Sequence, residues 1–284
     1  MANPACLNAD QLAFWETNGF LVLPSVFTAA EVSSMRAEAD FILELIINSS
    51  LCNQRQSRRL DIRKRQTGGM VVRKIQPIND LSLILSRVSE DERLLRPMYE
   101  LMADQPVLME EKLNYKQPVQ SMDGFRVPLD DDRFPVHNDW AYYLYNGYPD
   151  DIISSAITID DCHTGNGTIC VFPGTHHEHI DHNRVRNGLE VPDGTVDLST
   201  GVLLDAPAGS VMLFHAKLVH TSEPNPTSHP RRVMIYSHYP QRANMGIDVR
   251  NGPNRLRESP WEWDYRRRKE IGEYVDEFRA EVNA

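Results

Sequence analysis

The chain has 284 residues, of which 41% are hydrophobic and 25% charged, and its formal net charge is −10. This composition can form a buried core, and a jelly-roll fold routinely reaches this length as one domain. The acidic balance argues against nucleic-acid binding, which needs a basic surface to attract phosphates. No run of 18 or more apolar residues occurs, and the first residues lack a basic segment before an apolar one. We therefore expect neither a membrane span nor a secretory signal.

The four cysteines show no CxxC spacing and are predicted to be scattered reduced thiols, at positions 6, 52, 162 and 170. Reduced thiols are typical of a cytosolic protein. We expect a cytoplasmic monomer or homodimer that acts on a small molecule, with no nucleic-acid or membrane partner.

The N-terminal region is predicted to be largely helical. Asn8 with Gln11 three residues later predicts a helix start, and Thr28 with Glu31 forms a second capping box before an apolar-periodic stretch to about residue 47. A further helix is predicted to begin near residue 89 and to end before residue 106, and a charged amphipathic helix is predicted over 261–282. We expect helical support over 8–106, strands over 107–240 and a helical extension over 241–284.

Residues 51–69 are rich in arginine and lysine and end in two glycines. This pattern predicts a mobile or irregular connection on the surface. An alternative is a lid whose cations meet an anionic substrate, because long loops in compact domains often cover active sites.

The triplet His137-Asn138-Asp139 has the spacing of a metal-binding pair. Successive side chains of an extended strand alternate between faces, so His137 and Asp139 are expected to project from the same side. A second imidazole from a neighbouring strand would complete a 2-His-1-carboxylate site, which holds Fe(II) and leaves positions open for a cosubstrate and O2. We predict that His220 supplies this imidazole.

Residues 210–220 are predicted to form one strand that carries His220. On such a strand Met212, Phe214, Ala216 and Leu218 share a face with His220, and that face is apolar enough to line a barrel. His215 falls on the opposite face and is predicted to be a surface histidine or one behind the metal ligands.

Arg231 follows the turn-rich segment 221–230 and begins a β-rich run to residue 239. It shares a face with Val233 and Ile235, where a guanidinium needs an anionic partner such as the carboxylate of a cosubstrate. Arg232 is the alternative candidate for this role.

Over roughly residues 8–240 the chain resembles the phytanoyl-CoA dioxygenase family of Fe(II)- and 2-oxoglutarate-dependent oxygenases. The resemblance is carried by five ordered motifs: residues 14–23, residues 113–118, the metal motif 137–140, residues 166–176 and the spacing from His220 to Arg231. It implies a mainly β fold with flanking helices (α+β), built on a double-stranded β-helix, that is, a cupin-like jelly-roll core.

The resemblance also implies roles for single residues. His137, Asp139 and His220 would bind iron, Arg231 would hold the far carboxylate of 2-oxoglutarate, and Ser222 would assist. Lys112 lies where relatives place a residue against the cosubstrate. The expected reaction uses Fe(II), 2-oxoglutarate and O2 to oxidise, by default to hydroxylate, an unactivated C–H bond of a metabolite, with release of succinate and CO2.

The aromatic side chains Trp140, Tyr142 and Tyr143 follow the metal motif and are predicted to shape the substrate pocket, although such a run is as often core. The acidic balance of the chain favours a neutral or cationic substrate over a CoA thioester.

Two other readings of the function stay open. One is a catalytically silent jelly-roll that binds a metal or small ligand. The other is a zinc hydrolase that uses the four histidines within residues 176–182. The acidic turn at residues 130–132 is predicted to lie at the mouth of the barrel.

Overall fold

The computed structural model describes residues 6–66, 68–125, 127–186, 188–246 and 259–280. Within them the strands are β1 (Phe20–Leu23), β2 (Leu60–Lys64), β3 (Met70–Ile75), β4 (Pro106–Val119), β5 (Phe134–His137), β6 (Ile153–Thr158), β7 (Cys170–Val171), β8 (Asn183–Val185), β9 (Gly188–Glu190), β10 (Val202–Leu203), β11 (Val211–His215), β12 (His220–Ser222) and β13 (Val233–Pro240). The α-helices are α1 (Ala9–Asn18), α2 (Ala29–Cys52), α3 (Leu83–Val88), α4 (Glu92–Met102), α5 (Trp140–Tyr143) and α6 (Pro260–Glu270).

The strands form two antiparallel sheets and a hairpin. The major sheet has the order β1-β11-β6-β13-β4-β3-β2, the minor sheet has the order β10-β7-β12-β5, and β8 pairs with β9. Strands that are distant in sequence are neighbours in both sheets, as a jelly-roll requires. The predicted mainly β fold with flanking helices and a jelly-roll core is confirmed.

The side chains of β13 show how the major sheet separates two apolar layers. Val233 and Ile235 belong to the cluster between the sheets, whereas Met234 and Tyr236 belong to the cluster that contains the buried side chains of α2. This alternation follows from the two-residue repeat of a strand, and each fully buried apolar side chain contributes roughly 1.5–3 kcal/mol. The metal motif on β5 and β12 therefore faces an apolar interior.

Local sequence signals place most of the helix ends correctly. The side chains of Asn8 and Thr28 each accept a hydrogen bond from the backbone N–H of the third helical residue. In return, the side chains of Gln11 and Glu31 accept one from the backbone N–H of the capping residue. The C-terminal helix was predicted to span 261–282 but ends at Glu270, followed by a left-handed glycine at position 272. Residues 281 and 282 lie outside the described part of the chain.

The N-terminal region is less helical than predicted, because it supplies β1, β2 and β3 to the major sheet. The prediction that residues 51–69 form a mobile or irregular connection is right in one part, because residues 53–59 form neither helix nor strand. It is wrong for the end of α2, which continues to Cys52, and for residues 60–64, which form β2. The alternative of a lid with free cations is not supported, because three arginines of the segment pair with carboxylates: Arg59 with Asp80, Arg63 with Asp61, and Arg65 with Asp132. Asp132, from the predicted acidic turn, is fully buried by this pairing.

The predicted single strand over 210–220 is interrupted. β11 belongs to the major sheet and β12 to the minor sheet, and residues 216–219 cross between them. The Leu218 N–H donates to the His215 carbonyl at 2.8 Å, which closes the turn at this crossing. Apolar alternation continues through the crossing, so periodicity alone could not reveal it. Among the described residues, no helix has the length and apolar character needed to span a bilayer.

Candidate metal centre

His137 and His220 lie directly opposite each other on the neighbouring strands β5 and β12. Their ring centroids are 4.5 Å apart, and His137 Nε2 is 3.7 Å from Asp139 Oδ1. One possible ligand atom from each of the three residues lies within 4.8 Å of the others. Within the described residues, this is the one group of three or more histidine, cysteine or acidic side chains close enough to share a metal ion.

The second nitrogen of each imidazole fixes the tautomer. His137 Nδ1 is 2.7 Å from the Pro135 carbonyl oxygen, and His220 Nδ1 is 3.0 Å from the Leu218 carbonyl oxygen. A carbonyl oxygen can only accept, so each Nδ1 carries the proton and donates it. In the neutral form of either ring, Nε2 therefore carries the lone pair that a metal requires.

The charges at the site favour a metal-binding protonation state. Burial and the neighbouring His220 lower the pKa of His137 to about 3, so this imidazole is neutral. Burial alone would raise the pKa of Asp139, but nearby positive charge, above all the Lys112 ammonium, outweighs it and lowers the pKa to about 2. The site thus offers the neutral imidazole of His137, the imidazole of His220 and a carboxylate, a donor set that fits a divalent iron ion.

Asp139 reaches the site by a route that strand alternation did not predict. β5 ends at His137, and Asp139 has the helical angles φ −68° and ψ −31° at the start of α5. Asn138 is fully buried, and its side-chain oxygen accepts a hydrogen bond from the Ala141 N–H at 3.0 Å. Asn138 therefore stabilises the turn into α5 and takes no place at the metal.

A cavity of about 340 Å³ opens over the three residues. Its lining contains the apolar side chains of Ile169, Phe214 and Ile235 together with many polar side chains. The polar lining residues that the sequence analysis did not identify are Asp61, Arg73, Lys74, Gln76, Glu110 and Asn114. The signal for the β4 members was present, because Glu110, Lys112 and Asn114 alternate with the buried Leu113 and Tyr115.

Arg231 and Arg232 have different surroundings. Arg231 is 1% exposed and lines the cavity; one Nη donates to the Gly167 carbonyl at 2.8 Å, and its Nε has no hydrogen-bond partner among the described residues. Arg232 instead pairs with Asp160 and with Asp40 of α2. The geometry favours Arg231 for a carboxylate in the cavity.

Ser222 and Lys112 also line the cavity. Ser222 is buried at the end of β12, two residues beyond His220. Lys112 Nζ pairs with Glu110 Oε1 at 2.8 Å, so its ammonium already has a carboxylate partner. Its charge still acts on Asp139 through space.

The three aromatic residues that were predicted to line the substrate pocket have different positions. Tyr142 and Tyr143 line the cavity, and the Tyr142 hydroxyl accepts a hydrogen bond from the Leu189 N–H of β9 at 2.8 Å. Trp140 is not among the described lining residues, and its ring packs 4.8 Å from the His179 ring. The chain becomes helical at this point, so side chains turn by about 100° per residue and do not alternate as in a strand.

The histidines of residues 176–182 do not gather around one point. His176 packs on His177 and His215, whereas His182 Nε2 accepts from the Asn138 N–H at 3.0 Å. Among the described residues they form no group able to hold a metal, which removes the basis for the zinc hydrolase reading. His215 lies away from the metal site against Trp15 and is partly buried, so it is neither a ligand nor an ordinary surface histidine.

The chain is similar to known oxygenases in sequence and in structure. It is 24% identical to the ectoine dioxygenase of Halomonas elongata over 272 residues, which cover 85% of this chain and 72% of that protein. It is 23% identical to phytanoyl-CoA dioxygenase 1 of Oryza sativa subsp. japonica, with 77% and 84% of the two chains covered. The crystal structure of EctD from S. alaskensis with bound Fe superposes with a TM-score of 0.63 at 23% identity, covering 92% of this chain and 84% of that one.

The family model described as phytanoyl-CoA dioxygenase (PhyH) matches residues 15–233, which is most of the chain and contains all the predicted metal ligands and Arg231. The chain therefore belongs to the phytanoyl-CoA dioxygenase family of Fe(II)- and 2-oxoglutarate-dependent oxygenases.

Proposed function

We propose that the enzyme hydroxylates an unactivated C–H bond of a small metabolite, with His137, Asp139 and His220 as its iron ligands. The observation that carries the proposal is the convergence of these side chains at one end of a cavity that also contains a buried arginine. When bound, Fe(II) activates O2 with electrons from 2-oxoglutarate, which is oxidatively decarboxylated to succinate and CO2.

The protein prepares this site in two ways. The carbonyls of Pro135 and Leu218 orient the two imidazoles, so that their Nε2 atoms face the space beside Asp139. Lys112 keeps the carboxylate of Asp139 ionised. These contacts hold the three ligands in place before the metal binds, which reduces the ordering needed on binding.

Arg231 is proposed to hold the distal carboxylate of 2-oxoglutarate. Burial lowers the pKa of its guanidinium, yet the group remains cationic because arginine does not lose its proton in proteins. It has one Nη on Gly167 and an unpartnered Nε, so donors remain for an incoming carboxylate. Ser222 lies beside the same part of the cavity and is proposed to add a hydrogen bond. A contact from Lys112 to the cosubstrate stays a prediction.

The buried side chains of the lining would exclude water from the reacting carbon. Phe214, Ile235 and Tyr143 are buried, whereas Tyr142 is 42% exposed. A dry site favours transfer of oxygen to the substrate over side reactions.

The test is a metabolite screen for stimulated succinate release from Fe(II), 2-oxoglutarate and O2, followed by mass spectrometry under ¹⁸O2. We expect a product heavier than the substrate by one ¹⁸O atom, with the second ¹⁸O atom in succinate. A product two hydrogens lighter would contradict hydroxylation and indicate desaturation or ring closure. No succinate release under any condition would indicate a silent binding protein.

A further inference from the structure

The polar wall of the cavity is built from two paired strands of the major sheet. Lys74 of β3 lies directly opposite Asn114 of β4, and Gln76 follows β3. On β4, Glu110 and Lys112 point to the same side as Asn114. This wall lies above the metal ligands, where a substrate would place the part of the molecule that does not react.

Nearly every charge on this wall has an opposite charge beside it. Glu110 pairs with Lys112 at 2.8 Å, and Asp61 pairs with both Arg63 and Arg73 at 2.7 Å. The carboxylates of the wall are therefore occupied, and none is left for a cationic group of the substrate.

Lys74 is the exception among the described residues of the wall. Its Nζ donates to Gln76 Oε1 at 3.2 Å, and no carboxylate of the described chain lies within 4.0 Å of it. Burial, together with repulsion from Lys112, lowers the pKa of this ammonium to about 8. A partly buried ammonium without a counterion is costly, and an anion bound beside it would remove that cost.

The Asn114 amide is a second group without a complete set of partners. The residue is 8% exposed and lines the cavity, and its Oδ1 has no hydrogen-bond partner among the described residues. A buried amide of this kind is normally hydrogen-bonded. Oδ1 can only accept, so it cannot bind a carboxylate, whereas the Nδ2 group of the same amide can donate to one. Lys74 and Asn114 are directly opposite residues, so a ligand carboxylate can accept from both the Lys74 ammonium and Asn114 Nδ2, and an N–H or O–H group of the same ligand can donate to Oδ1.

We propose that Lys74 is a specificity-determining residue that binds a carboxylate of the substrate, with Asn114 and Gln76 as its hydrogen-bonding neighbours. The inference rests on the proposed function, because it names the substrate class of the same site. One ammonium matches the single charge of a carboxylate better than the double charge of a phosphate monoester. The cavity of about 340 Å³ limits the substrate to a small molecule. The local charge thus reverses the preference for a neutral or cationic substrate that the net charge of the chain suggested.

The experiment compares matched acids and primary amides on the iron-loaded enzyme. The probes are L-proline, L-leucine, pentanoate and phenylacetate, their amides, and butyl phosphate. Succinate release above the rate without a probe measures turnover, and the shift of the thermal midpoint measures binding without turnover. We expect at least one acid, and no amide or phosphate, to stimulate release and to raise the midpoint.

Variants of Lys74 test whether this residue binds the carboxylate of the substrate. Lys74→Met is expected to lower kcat/KM for a stimulating acid by about tenfold or more, whereas Lys74→Arg, which keeps the charge, should recover most of it. Lys74→Met should fold, because it replaces a partly buried ammonium with an unbranched apolar side chain that is only one atom shorter. Lys64→Met makes the same replacement at an exposed position of β2 and is the control.

Three results would overturn the inference: amides that act as well as acids, a panel in which no acid binds, or an equal loss for Lys64→Met. A rise in the KM for 2-oxoglutarate that matches the loss toward the acid would also overturn it, because Lys74 would then bind the cosubstrate. If the wild-type enzyme releases no succinate at all, the proposed function fails, and the midpoint shifts still decide whether Lys74 binds a carboxylate.

Discussion

Arg231 and Arg232 are consecutive in the chain, yet their guanidinium groups lie in different layers of the molecule. Arg231 enters the cavity between the sheets and bonds to the Gly167 carbonyl, whereas Arg232 reaches Asp40 on the helix α2 that packs outside. The alternation that separates Val233 from Met234 extends back to these two residues. A change of one position in register would exchange the arginine proposed to bind 2-oxoglutarate with one that pairs with two partly buried carboxylates.

Alanine substitutions of the two arginines should therefore have different effects. Arg231→Ala is expected to raise the KM for 2-oxoglutarate by roughly 10- to 150-fold, which corresponds to about 1.5–3 kcal/mol for a charge-assisted bond. Arg232→Ala should instead lower the free energy of unfolding by about 2–3 kcal/mol, because Asp40 loses its partner and Asp160 keeps only Arg36. Steady-state kinetics and urea unfolding measure the two effects. The assignment is wrong if Arg232→Ala alone raises the KM.

Removal of any one metal ligand should abolish iron binding with little loss of packing. His137→Ala, Asp139→Ala and His220→Ala are each expected to retain less than about a tenth of the wild-type iron, because the described part of the chain offers only these three candidate ligands. Metal analysis of the purified variants measures this. His215→Gln is the control, since His215 lies at the end of β11 away from the site and should leave the iron content unchanged. Loss of iron in His215→Gln but not in His220→Ala would mean that His215, and not His220, binds the metal.

Glu111 should make the protein less stable as the pH rises. It is 2% exposed and accepts hydrogen bonds from the Ile78 and Asn79 N–H groups, but burial raises its pKa from 4.5 to about 7. The folded state therefore holds this proton more tightly than the unfolded chain, and the associated stability is complete below about pH 4.5 and lost as the pH rises through 7. The loss is at most about 3 kcal/mol, from 1.36 kcal/mol for each pKa unit.

Glu111→Gln tests this directly, because the amide oxygen can accept the same two hydrogen bonds without a charge. We expect the variant to be more stable than wild type at pH 8 and nearly equal at pH 4.5, measured by urea unfolding. Glu270→Gln, at an exposed position of α6, is the control and should follow the wild-type curve. An unchanged pH dependence in Glu111→Gln would show that Glu111 is not the group responsible.

Tyr142 connects the cavity to the β8–β9 hairpin, so its hydroxyl should hold the hairpin in place. Tyr142→Phe removes the acceptor of the Leu189 N–H and is expected to speed hydrogen exchange of that amide by roughly fivefold, for a bond worth about 1 kcal/mol. Exchange followed by mass spectrometry measures the peptide that contains Leu189. Tyr145→Phe, at a side chain that is 91% exposed, should have no effect on it. Equal exchange in both variants would exclude the role of the hydroxyl.

The sequence by itself determined the candidate metal ligands and the first residues of α1 and α2. The spacing of His137, Asp139, His220 and Arg231 identifies the residues that the fold brings to one cavity. The capping boxes at Asn8 and Thr28 fix where α1 and α2 begin, because a cap depends on residues only three apart. Such signals are local, so they can be read without the fold.

Only the tertiary structure decided features that depend on distant pairing. Apolar alternation runs unbroken from β11 to β12, and only the pairing of each part with a different sheet shows the crossing at residues 216–219. The pairing of the basic segment 51–69 was unpredictable for the same reason, because Arg65 pairs with Asp132, which is distant in the sequence. The juxtaposition of Lys74 and Asn114 arises where β3 meets β4, and their separation of forty residues leaves no local pattern that predicts it.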